Sequence, residues 1–165
     1  MIPRAYLLAT LTALATITAG GLGAAQASPP SPASTQDGAV LFKRCAACHT
    51  ATGAGVPGAY PPLQRDFREL ATSKDGRRYL SLAVIRGLSG PIEVEGKTYR
   101  GLMPAQSGLD DDDIASVLNH IGTKIAKTGP AFKAFTSAEV AAARKSGAAL
   151  SAAQVAKLHA GAGPK

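Results

Sequence analysis

The sequence is poor in aromatic residues: it has no tryptophan, and its four tyrosines and four phenylalanines make up only 5% of 165 residues. Domains of this size usually take much of their core area from large rings. Hydrophobic residues still account for 45% of the chain, which excludes wholesale disorder and allows one domain with appendages. The shortage of rings therefore indicates that another apolar group fills the centre.

Cysteine is equally scarce: the sequence has only Cys45 and Cys48. Two cysteines are too few for a disulfide framework. Both lie in the run Cys45-Ala46-Ala47-Cys48-His49, which has the C-x-x-C-H pattern of a c-type haem attachment site. Residues three apart lie on one face of a helix. Two thiols so placed can react with the two vinyl groups of one haem, and His49 can then turn its imidazole towards the iron.

Two other uses of the cysteine pair fit the surrounding sequence less well. A redox dithiol of the thioredoxin type belongs in a βαβ unit, whereas the segment from Asp37 to Cys45 has the N-cap and apolar spacing of a helix. A structural zinc site needs four ligands, and no second cysteine pair exists. The surrounding sequence therefore favours covalent attachment of haem.

A sixth iron ligand can be sought among few residues, since the chain beyond residue 49 contains one methionine, Met103, and two histidines, His120 and His159. A lone methionine usually fills core space. Met103, however, lies in an irregular Gly-Leu-Met-Pro segment just before a predicted helix, and such a loop lets the thioether reach across a haem. We expect His120 to be a partly buried surface residue and His159 to be solvated. Met103 is thus the predicted ligand.

The N-terminus has the pattern of an export signal. Arg4 is the only charge before Asp37, an apolar stretch covers residues 5–18, and Ala25-Gln26-Ala27 has the small-x-small form of a cleavage site. We expect residues 1–27 to be a cleaved signal peptide. The alternative is an uncleaved membrane anchor, because the uncharged run is just long enough to span a bilayer. Cleavage predicts a protein without a stable membrane anchor in an oxidising compartment, the bacterial periplasm.

The rest of the chain divides into three predicted parts. Residues 28–35 are rich in Ser, Pro and Ala and form a flexible leader. Residues 36–128 form the compact domain, with helices near 37–45, 75–86 and 110–125 and a short hairpin or Ω-loop at 92–99. Residues 129–165 form an extension.

The extension contains a repeat, in which residues 135–141 match residues 150–156. Both copies begin with a capping box, Thr136 with Glu139 and Ser151 with Gln154. The repeat predicts two short amphipathic helices that pack on the domain or serve as a docking arm. We expect that a chain lacking everything from Gly129 onward still attaches haem.

These features together resemble a class I cytochrome c. The resemblance covers about residues 36–128 and depends on the C-x-x-C-H helix, the Tyr-Pro-Pro-Leu segment at 60–63, the Met103 loop and the final helix. It implies an all-α fold wrapped around one covalent haem c, with the hairpin or loop as an insertion. The insertion and the long stretch before Met103 resemble small periplasmic cytochromes that serve bacterial dehydrogenases and reductases.

The resemblance also implies roles for individual residues. His49 is the proximal and Met103 the distal iron ligand, and Cys45 and Cys48 carry the haem. A proline carbonyl, assigned here to Pro62, accepts a hydrogen bond from the His49 ring and so fixes its tautomer. Both iron positions are then filled, which predicts a one-electron carrier rather than an enzyme.

Three functions compete for a haem protein of this kind. The first is a carrier between a periplasmic dehydrogenase and a terminal oxidase or reductase. The second is a tightly bound subunit of a dehydrogenase complex, with the repeat as docking arm. The third is a haem enzyme or gas sensor, which requires Met103 to be off the iron.

Charge bears on the partners of such a protein. The formal net charge is +7, and basic residues precede Cys45 and recur between Arg65 and Arg100. We expect most of them to be solvated. The positive net charge favours encounter with an acidic redox partner. Nucleic acid is not an expected partner of an exported haem protein. The protein is expected to be a monomer or a subunit of a dehydrogenase complex.

Overall fold

A computed structural model of the chain describes residues 36–163, and the predicted signal peptide and leader lie outside these residues. The described part is mostly helical with one antiparallel hairpin, which confirms the predicted all-α class. No helix between residues 36 and 163 combines the length and the apolar character that a bilayer crossing requires. In chain order the elements are α1 Gly38–His49, α2 Arg65–Leu70, α3 Lys74–Arg86, β1 Ile92–Val94, β2 Lys97–Tyr99, α4 Asp111–His120, α5 Ser137–Ser146 and α6 Ala152–Ala162.

Side-chain caps begin the helices where the sequence predicts them. The carboxylate of Asp37 accepts from the amide of Ala39 at 2.9 Å, and that of Asp110 accepts from the amide of Asp113 at 2.8 Å. Each cap satisfies a backbone N–H that has no partner within its helix. Both capping boxes of the extension also form, at the starts of α5 and α6.

Helix α1 crosses α4 at close range. A Cβ at Gly38 would collide with the backbone of Ser116, so only glycine allows this approach. The contact brings together apolar residues that are at most 5% exposed, and it sets the direction in which α1 leads to the C-x-x-C-H motif. These residues are Leu41, Phe42, Ile114, Val117 and Leu118.

Two local features differ from the predictions. Helix α2 was not predicted, because its six residues bury only Phe67 and Leu70 and show no helical periodicity. The helix predicted to run to residue 125 instead widens after His120 into a π-helical turn, Ile121–Ile125. In that turn the hydroxyl of Thr123 donates to the carbonyl of Asn119 at 2.7 Å, a bond that competes with the regular helical pattern.

The extension packs on the domain. Helix α6 lies along α3 and against β1, and α5 lies against α3 and α4. Six residues of the extension are at most 4% exposed, so the extension shares the core of the preceding helices. They are Phe135, Val140, Ala143, Val155, Ala156 and Ala162.

Arginines of α2 and α3 hold the extension in place. The Nε of Arg68 donates to the Pro130 carbonyl at 2.7 Å, and the Nε of Arg86 donates to the Leu150 carbonyl at 2.8 Å. These two arginines are exceptions to the expectation that most basic residues are solvated, because carbonyls 62 and 64 residues away in sequence accept their hydrogen bonds.

Arg77 makes the most extensive of these contacts. Its Nε and Nη2 donate to both carboxylate oxygens of Glu139 at 2.9 Å, and further donors bind the carbonyls of Lys133 and Ala134 at 2.9 and 3.0 Å. The guanidinium also lies over the ring of Phe135, 3.9 Å from its centre. Such a fork satisfies several carbonyls that the turn into α5 leaves free.

We expect the Arg77–Glu139 pair to make folding stability depend on acid pH. The hydrogen bonds from Arg77 lower the pKa of Glu139 to about 2. The ionised form therefore stabilises the fold above the ordinary glutamate pKa, and this contribution is lost as pH falls from about 4.5 to about 2. Because the Glu139 side chain is 39% exposed, solvent screening limits the effect to about 1 kcal/mol. Chemical unfolding of wild type and Glu139→Gln should differ near neutral pH and converge near pH 2. A difference that is the same at all pH values would contradict this.

Candidate haem-binding site

The last turn of α1 presents the three residues of the C-x-x-C-H motif together. Cys45 and Cys48 are half-buried with free thiols, and His49 is 7% exposed. Burial raises the pKa of the Cys45 thiol, although the charge of Arg44 opposes this. All three side chains line one cavity.

That cavity adjoins a second one in the centre of the fold. The two cavities have eight lining residues in common, so they meet along a shared wall. The walls are mostly apolar and come from α1, α3, α4 and the loops between them. Residues common to both cavities are Cys45, His49, Pro61, Val84, Leu88, Ile92, Met103 and Val117.

The ring of His49 is oriented by a backbone carbonyl. Its Nδ1 lies 2.9 Å from the carbonyl oxygen of Pro61. A carbonyl can only accept, so Nδ1 carries the proton and Nε2 keeps a free lone pair, as a metal ligand requires. Burial lowers the pKa of His49, and the weaker opposing influence of the Pro61 bond does not reverse this. The neutral, ligating form is thereby favoured.

The assignment of the acceptor to Pro62 is therefore wrong by one residue. The loop after His49 folds back through hydrogen bonds from the Gly55 amide to the His49 carbonyl at 3.0 Å and from the Leu63 amide to the Gly53 carbonyl at 2.7 Å. This register places the Pro61 carbonyl at the ring, while Pro62 lines the second cavity. Two adjacent prolines cannot be distinguished by composition, and only the loop register decides between them.

Gly55 allows the loop to close on the histidine. Its φ is +69°, and a Cβ there would collide with the carbonyls of Tyr60 and Pro61. Any side chain would therefore strain the backbone and push the Pro61 carbonyl from the His49 ring.

We expect Gly55→Ala to cost about 2–4 kcal/mol of unfolding free energy, from positive-φ strain together with the steric clash. Chemical denaturation of the haem-loaded protein measures this. Gly58→Ala is the matched control, because Gly58 has φ +75° but nothing within 4 Å of an added Cβ. Gly58→Ala should lower the unfolding free energy by only about 1 kcal/mol, because it adds the positive-φ strain without the steric clash. Equal costs for the two variants would show that the contact with Pro61 is unimportant.

Met103 lies in the cavity wall on an anchored segment. Its amide donates to the Leu88 carbonyl at 3.0 Å, and the Leu88 amide donates to the Met103 carbonyl at 2.9 Å. Gly87, with φ +72°, admits this approach, because a Cβ there would collide with the Met103 carbonyl. The thioether is half-buried and lines both cavities, and the neighbouring Leu102, which is 64% exposed, lines only the first.

The two other histidines have different surroundings. His120 is half-buried on α4, with its ring 5.5 Å from that of Phe42, and it lines neither cavity. The expectation that His159 is solvated is wrong: its side chain is 10% exposed, and its Nε2 lies 3.1 Å from a carboxylate oxygen of Asp66. The sequence has no signal for this contact, because it depends on how α6 packs.

These residues fit a covalently attached haem. The site combines two thiols on one helix face, an imidazole with a free lone pair, a thioether and a largely apolar enclosure. Within the described residues, no cluster of three or more His, Cys, Asp or Glu side chains is arranged to bind a bare metal ion. The donor set thus suits haem better than a bare ion.

Comparisons with known proteins agree with this fit. A family model described as cytochrome c matches residues 35–124. A protein named cytochrome c-552 from Thermus thermophilus is 44% identical over 131 residues, which cover 78% of this chain and 82% of that protein. A second protein of the same name and species is 46% identical over 106 residues, which cover 63% of this chain and 81% of that protein. The matched region includes the C-x-x-C-H motif and Met103.

Proposed function

The chain belongs to the cytochrome c family and carries electrons through a covalent haem c, and we propose that its iron is six-coordinate, with His49 and Met103 as axial ligands. The observation that supports this proposal best is the shared lining of the two central cavities. It brings the attachment thiols, the histidine oriented by Pro61 and the methionine anchored to Leu88 to one apolar space.

The haem supplies a one-electron couple that needs no change of ligands between its two oxidation states. The residues of the chain have the remaining tasks. Cys45 and Cys48 hold the group covalently, and the Pro61 carbonyl keeps the His49 lone pair directed into the cavity. The apolar wall excludes water, and together with methionine ligation this raises the reduction potential relative to an exposed site with two histidines.

We expect the purified haem protein to take up one electron reversibly in a potentiometric titration. Its ferrous spectrum should remain unchanged when carbon monoxide is first added, because both axial positions are filled. A prompt spectral shift with carbon monoxide would contradict six-coordination and would support the haem enzyme or gas sensor.

We further propose a diffusible carrier between a periplasmic dehydrogenase and a terminal oxidase or reductase. The packing of α5 and α6 against α3 supports this over a bound subunit, because the apolar residues of the repeat are buried within the chain itself. Co-expression with a candidate dehydrogenase followed by gel filtration tests this choice. Stable co-elution would favour the subunit.

Export and an acidic partner complete the proposal. Cleavage after Ala27 would release the protein into the periplasm, and the mass of the protein from a periplasmic extract tests this. Lys43 and Arg44 are exposed beside the attachment site, and Arg100 is exposed near Met103. These charges are suited to an acidic docking surface, so electron transfer to such a partner should slow as ionic strength rises.

A further inference from the structure

A contact between a histidine and a carboxylate connects helix α6 to the wall of the haem cavity. The Nε2 of His159 on α6 lies 3.1 Å from Oδ2 of Asp66 on α2, and the two side chains are 10% and 22% exposed. Both residues line the cavity that His49 and Met103 also line. In a mostly apolar cavity, a titratable pair interacts strongly with any charge that changes inside it.

The same pair also borders solvent. Asp66 and His159 line an open surface groove with Glu93, Arg100 and Lys157, which we call the outer groove. The pair is therefore the boundary between the haem cavity and the outer groove. A proton can reach His159 from solvent through the groove without crossing the cavity.

Histidine is the residue type beside this boundary that ordinarily changes charge between about pH 5 and 8. The ring of Tyr79 on α3 packs edge-on against His159 at 5.2 Å, and burial, followed by the nearby charge of Asp66, raises the pKa of Tyr79, so it stays neutral. His49 is the other titratable ring in the cavity, and its Nδ1 is occupied by Pro61. The charged side chains that line the second cavity or the outer groove are those of Asp66, Glu93, Arg100 and Lys157. Carboxylates, lysines and arginines do not ordinarily titrate in this window.

We propose that the Asp66–His159 pair is a redox-linked proton site, at which reduction of the haem strengthens proton binding to His159 and oxidation weakens it. The proposal rests on the proposed function as an electron carrier. Oxidation adds one positive charge inside the cavity, and this charge repels an imidazolium in the wall. Because coupling between two binding equilibria is reciprocal, protonation of His159 favours the reduced protein to the same extent.

The electron and proton balance follows directly. When the carrier accepts one electron, the pair takes up a fraction of a proton from solvent through the outer groove. When the electron leaves, that fraction is released. Asp66 is a positioning residue, since its carboxylate holds the His159 ring in the cavity wall.

The test is a potentiometric titration of the haem-loaded full chain from about pH 5 to pH 8, the window in which histidine titrates. The wild-type potential should fall as pH rises, and His159→Gln should flatten the slope while keeping a side chain that can donate to Asp66. His120→Gln is the matched control, because His120 lines neither cavity, and it should keep the wild-type slope. A slope that flattens in His159→Gln and not in His120→Gln is therefore assigned to the cavity-wall histidine.

A second measurement covers the case in which His159→Gln does not fold. The NMR titration midpoint of His159 in wild type should lie at higher pH in the reduced than in the oxidised protein, by about threefold to tenfold in proton affinity. Equal midpoints, or a His159→Gln variant with the wild-type slope, would overturn the proposal and leave the pair as a structural tether. A wild type without a reversible one-electron couple would instead overturn the proposed function itself.

Discussion

A chain that ends at Thr128 is expected to lose the cooperative melting transition of the full-length protein and most of its bound haem. The deletion removes Phe135, Val140 and Val155, which are at most 3% exposed. Each such side chain contributes about 1.5–3 kcal/mol by burial, in a domain whose total stability is typically about 5–15 kcal/mol. This reverses the expectation from the sequence that haem attachment survives removal of the extension.

The deletion also exposes what the extension covers. Leu82 of α3 is fully buried, and Gly147 at the end of α5 lies so close that a Cβ there would collide with the Leu82 side chain. Arg77, whose side chain is 11% exposed, would lose Glu139 and two carbonyl acceptors. Helix α3 supplies Val84 to the cavity wall and leads directly to Leu88, which also lines it, so damage to α3 reaches the haem site.

Circular dichroism melting and the haem content per chain measure this outcome. Val140→Ala and Val155→Ala are milder variants that should each cost about 1–3 kcal/mol without preventing expression. Ala141→Ser, at an exposed position of α5, is the control and should melt like wild type. A truncated protein with full haem content and an unchanged melting curve would show that the extension is dispensable.

Local signals explain which features could be read from the sequence. The caps at Asp37 and Asp110 and the two capping boxes involve side chains and amides two or three residues apart, so the sequence contains both partners. The C-x-x-C-H motif is equally local.

Features that depend on distant partners could not be read in this way. His159 meets Asp66 across 93 residues, and Arg77 meets Glu139 across 62. The choice of Pro61 over Pro62 depends on the register of a loop that glycines allow to fold back. The six-residue α2 is too short for a periodic signal and forms where Phe67 and Leu70 reach the core.

Met103→Ala should convert the haem protein to one with an open coordination position. The backbone hydrogen bonds between Met103 and Leu88 do not involve the methionine sulfur, so the loop should persist. The covalent bonds from Cys45 and Cys48 to the haem should persist as well. Without its sulfur ligand, the ferric protein should lose its weak charge-transfer band at the red end of the spectrum. The ferrous protein should bind carbon monoxide promptly.

The reduction potential gives an independent measure of the same loss. Methionine ligation raises the potential of a c-type haem, and axial ligands set haem potentials over a range of about 0.8 V. We therefore expect Met103→Ala to lower the potential by about 0.1 V or more. Ala105→Ser is the matched control, because Ala105 is exposed in the same segment and lines neither cavity. That variant should keep the band, the potential and the resistance to carbon monoxide.

A third substitution separates ligand loss from damage to the loop. Met103→His supplies a nitrogen ligand from the same anchored segment, so it should restore resistance to carbon monoxide while leaving the potential low. If Met103→Ala kept the band and the potential of the wild type, the sixth ligand would have to come from elsewhere. Because His120 lines neither cavity, that result would point to His159, which lines the second cavity and would have to leave Asp66.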